Sequence, residues 1–224
     1  MTGLGFDPAH VEPGGPVHRY PTGPLTVTKV SVGPWDNNAY LLTDPERHET
    51  LLVDAANDAE RLLELLELQG AALVGVVTTH RHHDHIAALP ALLKAHDVWN
   101  GAHPADADAI AEQVGVTPDR LLQHGDAIQV GRFEVIVLHT PGHTEGSISF
   151  RLPAAQGQVL TGDALFPGGV GKTESRAAFE QAIASAERHL LSLPGETRFS
   201  PGHGDDSQVG LELPHLEEWK QRGW

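Results

Sequence analysis

Four metal-donor side chains packed into six residues constrain this chain more than any other feature. The segment reads His80-x-His82-x-Asp84-His85 and follows the apolar, β-branched run 73–79. A chain of this composition is expected to contain such a pattern about 0.004 times by chance, which disfavours a merely histidine-rich solvated loop. Three more donors sit in similar contexts: His143 in Thr140-Pro141-Gly142-His143-Thr144, Asp163 in Thr161-Gly162-Asp163, and His203 in Pro201-Gly202-His203-Gly204. Each lies just past a strand-like run, in or beside a glycine turn. Strand ends of this kind gather on one edge of an α/β sheet, where sites form.

Composition narrows the chemistry. The chain has 224 residues and no cysteine, so disulfides, thiolate nucleophiles and Cys-ligated zinc are all excluded. Lys plus Arg number 15 against 30 Asp plus Glu, a formal charge of −15. That field repels phosphate, and neither nucleic acid nor an anionic membrane is an expected partner. The first seven residues show neither a basic region nor an apolar core, and no apolar run approaches a membrane span. The expectation is a soluble, cytoplasmic protein; its oligomeric state is not readable.

The length favours one domain. Residues 1–24, rich in proline and glycine, read as an extended arm, with a single domain over 25–224. Within it, 25–32, 39–43 and 50–54 read as strands of a meander. A capped amphipathic helix is expected over 58–69, then a buried strand over 73–79. Helices are expected at 85–96, 104–114 and 174–193, a hairpin or bulged strand at 129–138, and strands at 147–152, 158–161 and 197–200. Strands and helices interspersed through both halves fit an α/β (α+β) arrangement of two sheets covered by outer helices.

Neutral imidazoles and carboxylates suit zinc and iron, and two such ions can share a carboxylate. The donors divide into His80, His82 and His143 for one ion and Asp84, His85 and His203 for the second, with Asp163 as the bridge. Two zinc ions per chain are expected, iron or a mixed iron–zinc pair being the alternative. The activated hydroxide then needs no protein nucleophile.

This ordered set resembles the metallo-β-lactamase superfamily over about residues 25–207. The resemblance implies an αββα sandwich of two mixed sheets flanked by helices. Within the superfamily, the segments 140–147 and 163–173 and the early Asn37-Asn38-Ala39-Tyr40 are most similar to the glyoxalase II (hydroxyacylglutathione hydrolase) branch. That implies a metallo-hydrolase cleaving a small-molecule thioester or ester-like acyl bond, with Asp84 as a catalytic acceptor of a hydrogen bond from the hydroxide. Family members often carry Gly-Gly or Gly-Asn after the Asp-His pair, where this chain has Ile86-Ala87-Ala88, so helix packing there is expected to differ.

Four further positions are weighed. Trp35, Phe166 and Lys172 are candidate substrate contacts, against core packing for Trp35 and plain surface exposure for Lys172. Asp54 is a candidate for orienting a ligand, against a simple strand-end carboxylate. The run Gly168-Gly169-Val170-Gly171-Lys172-Thr173 lacks the first glycine of a phosphate loop, with Phe166 in its place, and reads as a flexible rim. Arg81 and His83 should point away from the metals, and Trp219 and Trp224 should close over the core or an interface. Two rival functions remain. One is a persulfide dioxygenase with a single iron on His80, His143 and Asp163, which Gly162-Asp163-Ala164-Leu165 resembles; the other is a non-catalytic metal-binding scaffold.

Overall fold

The computed structural model describes residues 6–154 and 156–223. Strands β1 (His18–Thr22), β2 (Leu25–Val32), β3 (Asn37–Asp44), β4 (Glu49–Val53), β5 (Ala72–Val77), β6 (Trp99–Ala102) and β7 (Arg120–Leu121) form one sheet in that order. The first four are antiparallel neighbours, and β4 through β7 run parallel. The second sheet takes β13 (Ser207–Gln208), β12 (Arg198–Pro201), β11 (Gln158–Gly162), β10 (Ile148–Leu152), β9 (Phe133–His139) and β8 (Ala127–Val130) in that order. Only β11 and β12 pair in parallel there. Both sheets are therefore mixed.

Side-chain alternation separates three cores. Leu25, Val27, Tyr40, Leu42, Leu51 and Val53 face Val135, Val137, Phe150 and Leu160 across the gap between the sheets. Their neighbours Val30, Val32, Leu41, Leu52 and Val76 face outward onto α1 (Ala59–Gln69), α2 (Leu89–Ala95) and α3 (Pro104–Val114). On the other side, Val159, Leu138 and Phe199 meet α4 (Arg176–His189), the short α5 (Val209–Glu212) and α6 (Leu216–Arg222). Helices, sheet, sheet, helices: this is the αββα sandwich. Among the described residues, no helix is long and apolar enough to cross a membrane.

Several local readings change. The sheet begins at His18, inside the stretch 1–24 read as an arm; β1 is an edge strand, where Pro21 is tolerated. The helix expected over 85–96 starts only at Leu89. The amides of Ala87 and Ala88 instead donate to the carbonyls of Ala56 and Ala55, each at 3.0 Å, which breaks the helical ladder. A 3-10 turn, His83–His85, takes its place. Of the leucines in α1, Leu62 and Leu66 are buried, whereas Leu68 is exposed. Helix α4 is shorter than 174–193, starting behind a Ser175 cap whose Oγ accepts from the Ala178 amide. The short strands β6, β7 and β13 and the helices α5 and α6 were not read from sequence. Trp219 is buried in the third core; Trp224 and the first five residues of the arm lie outside the described residues.

Candidate metal centre

Strand direction brings the donors together. Strands β2, β4 and β5 point the same way in the first sheet, as β9, β11 and β12 do in the second. Their C-terminal ends share one rim. Trp35 follows β2, Asp54 follows β4, and the segment from His80 to His85 follows β5. His143 follows β9, Asp163 follows β11 and His203 follows β12. Across this rim the amide of Asn38 donates to the Gly202 carbonyl at 2.7 Å, and Ile148 N donates to Thr79 O at 2.9 Å.

At the rim all seven candidate donors converge. His82 Nδ1 lies 3.1 Å from His80 Nε2 and 2.9 Å from His143 Nε2. His203 Nε2 lies 3.2 Å from His85 Nε2 and 3.3 Å from Asp84 Oδ2. Asp163 sits between the triads, Oδ2 being 3.4 Å from His143 Nε2 and 3.5 Å from His203 Nε2, and Oδ1 being 3.4 Å from His85 Nε2. Tetrahedral coordination with bonds of about 2.0–2.1 Å spaces donors by about 3.3 Å. The observed separations match that spacing.

The far side of four imidazoles is already committed. His85 Nδ1 donates to Asp54 Oδ2 at 2.8 Å, His143 Nδ1 to the Lys172 carbonyl at 2.6 Å, and His203 Nδ1 to the Trp35 carbonyl at 2.7 Å. His80 Nδ1 donates to Thr79 Oγ1, whose hydroxyl in turn donates to Asp54 Oδ2. Each bond turns Nε2 inward, as a lone pair once the imidazole is neutral. Asp163 Oδ1, buried, has no hydrogen-bond partner. Inward lone pairs and an orphaned carboxylate oxygen are the donor chemistry a divalent cation satisfies.

Electrostatics agrees with the geometry. Burial and the neighbouring imidazoles hold His80 and His82 below the ordinary histidine value. Burial also opposes charge on His85 and His203, but Asp163 with Asp54 on one, and Asp163 with Asp84 on the other, overcomes it; His203 is pushed up to about 10. Burial likewise opposes ionisation of Asp84 and Asp163, yet the facing histidines, joined at Asp84 by Asn37, keep both carboxyls below their usual range. A cation here would compete with the proton that Asp163 and Asp84 favour on His203, and would meet carboxylates held toward ionisation.

Glycine permits the close approach. A Cβ at Gly202 would run into Asp163 Oδ1 and His85 Cε1. The loop after β11 crosses the same centre, and Lys172 contributes its backbone carbonyl to it.

The weighed positions resolve individually. Asp54 Oδ1 also accepts from the Thr79 amide at 2.7 Å, so its carboxylate spans the strand end and two imidazoles. Trp35 is 65% exposed, which overturns core packing. Phe166 holds its ring 6.3 Å from that of His203, and the Lys172 side chain is exposed. Arg81 turns to Asp106 and His83 to solvent, both away from the donors. Sequence reading missed Asn37, whose Nδ2 holds Asp84 Oδ2 at 2.8 Å, although its segment was singled out. It also missed Asp106, a buried carboxylate that accepts from Arg81 N, Gly146 N and Thr144 Oγ1 and so ties two donor loops together. A lone aspartate in a helix carries no sequence signal for such a role.

Comparison with known proteins identifies the family of the chain. The hydroxyacylglutathione hydrolase GloC of Haemophilus influenzae is 30% identical over 205 residues, covering 84% of this chain and 95% of that protein. Among solved structures, the BLEG-1 B3 metallo-beta-lactamase superposes with a TM-score of 0.76 at 27% identity, over 85% of this chain and 97% of its own. ETHE1 from Myxococcus xanthus superposes with 0.73 at 29%, over 85% and 82%. TTHA1623 in a di-iron-bound form gives 0.67 at 35%, over 83% and 96%. The family description "Metallo-beta-lactamase superfamily" matches residues 32–203, from the end of β2 to the last donor histidine. The chain belongs to the metallo-beta-lactamase superfamily.

Proposed function

We propose that this superfamily member is a binuclear metallo-hydrolase that cleaves a small acyl thioester or ester, in the manner of the glyoxalase II branch. The observation that carries the reading is the convergence of seven donors, four of them imidazoles whose outer nitrogens are already tied down. His80, His82 and His143 would hold one ion, Asp84, His85 and His203 the other, and Asp163 would bridge them. When bound, the ions supply hydroxide at neutral pH and polarise the substrate carbonyl. Asp84, ionised and steadied by Asn37 and His203, accepts a hydrogen bond from the attacking water and orients its lone pair. A thiolate leaves without a proton from the protein, so no further acid is needed. Trp35, exposed beside the backbone that holds His203, is proposed to cover the substrate with Phe166 and Lys172.

Similarity to GloC supports the thioester, and similarity to a di-iron form of TTHA1623 supports two ions. Zinc remains the proposed metal, with iron as the alternative. Resemblance to ETHE1 supports a second reading, the single-iron persulfide dioxygenase on His80, His143 and Asp163. Elemental analysis of protein purified without added metal separates the two. About two ions per chain with thioester hydrolysis is expected. One iron per chain with oxygen uptake on a persulfide overturns the hydrolase. His82→Ala or Asp163→Ala should reduce turnover to the blank while circular dichroism stays unchanged, and an active metal-free variant refutes the site. A panel of thioesters, esters and a persulfide tests the substrate, and metal without turnover on any of them points to the scaffold.

A further inference from the structure

One buried cation has no place among the donors. Lys29 lies in β2 on the face it shares with Leu25 and Val27, turned toward the second sheet, and its side chain is 0% exposed. Val27 and Ser31 flank it on that face and Tyr40 lies beside it on β3, and a fully buried ammonium there is tolerated only because of its partners. Nζ donates to Asp206 Oδ1 at 2.9 Å and to the Gly204 carbonyl at 2.6 Å. Asp206, its side chain also 0% exposed, uses its other oxygen to accept from Arg198 Nη1 at 2.9 Å. Both Lys29 contacts fall within three residues of His203, on the loop that leaves β12.

Most of the other bonds to that loop reach its backbone, including one from Tyr40 OH to the Pro201 carbonyl, while Asp205 pairs with His10 through its side chain and His203 Nδ1 donates to the Trp35 carbonyl. Asn38 Nδ2 donates to the carbonyls of Pro201 and Gly204, each at 3.0 Å, and the Gly204 amide donates to Asp36 O at 3.2 Å. Lys29 adds a charged bond on the far side of His203, and both of its side-chain hydrogen bonds go to the His203 loop. The other triad hangs from the ends of β5 and β9, with Asp106 joining its loops.

We infer that Lys29 is a positioning residue for one half of the centre. Acting through Asp206 and Gly204, it places His203 Nε2 against Asp84 and His85 and so sets the affinity of that triad. The triad of His80, His82 and His143 does not depend on it. The inference rests on the two-ion reading above.

Zinc titration of metal-stripped protein by calorimetry, with a competing chelator, tests this in wild type, Lys29→Met and Asp206→Asn. The wild type should take up two ions. Each variant should keep the first affinity within about twofold and lose about 10–100-fold in the second, the range found when groups that orient metal ligands are removed. Raising zinc should restore full occupancy. Circular dichroism and the melting temperature of the stripped protein report folding; if Lys29→Met does not fold, the near-isosteric Asp206→Asn decides. Equal losses at both sites, as a general loss of stability would cause, overturn the inference, and so do two unchanged affinities. A wild type that binds a single ion refutes the two-ion reading itself, before any variant is compared.

Discussion

Asp54 shows how much one residue can carry. It adopts φ 60°, in the left-handed region that few residues besides glycine, asparagine and aspartate enter. From that turn its carboxylate accepts from Thr79 N, Thr79 Oγ1 and His85 Nδ1. Asp54→Asn keeps both the shape and the tolerance for this φ but replaces one acceptor with a donor. Metal affinity should fall about 10–100-fold with the circular dichroism spectrum unchanged; an unchanged affinity in chelator competition would remove Asp54 from the centre. At this scale the sequence was legible wherever chemistry is concentrated. Histidines two residues apart, or a glycine beside an aspartate, announce themselves. Asn37, Asp106 and Lys29 do not, because each acquires its role only when another part of the chain folds against it.

Elements meet at a clasp far from the metal rim. Asp44, the last residue of β3, accepts from the amides of Glu46 and Arg47 in its own turn. It also takes the Arg132 amide and Nε, each at 3.0 Å, from the turn between β8 and β9. One carboxylate thus joins the two sheets. The Arg132 guanidinium holds its carboxyl well below the usual range. A lowered folded value stabilises the protein above the unfolded value of about 3.9 and loses that contribution as the pH falls below it. Asp44→Asn should therefore melt below wild type at pH 7, with the gap closing as the pH drops under about 4. A gap that stays constant down to acid pH would contradict this. Long elements with a clear period, such as α1, α3 and β2, were readable within a residue or two. Strands of two to four residues, such as β6, β7 and β13, are too short to show alternation and exist because a neighbouring strand offers them a ladder.

For the whole molecule, a centre built from both sheets makes metal and fold interdependent. Metal held at about 100 times its dissociation constant should add about 2.7 kcal/mol to the unfolding free energy. In a chain of this length that raises the melting temperature by roughly 5–11 °C, at about 2–4 °C per kcal/mol. Scanning calorimetry with and without chelator checks it, and His82→Ala should lose much of the gain. The strand orders carry one more consequence. Every strand of the first sheet lies between His18 and Leu121, and every strand of the second between Ala127 and Gln208. A ribosome therefore finishes one sheet before beginning the next, and His80, His82, Asp84 and His85 emerge as two incomplete pairs. His143, Asp163 and His203 arrive later, one to complete each pair and one to span them. Neither three-donor group is complete until residues of the second sheet have emerged, so a metal that binds at them would couple the two sheets and stabilise their docking.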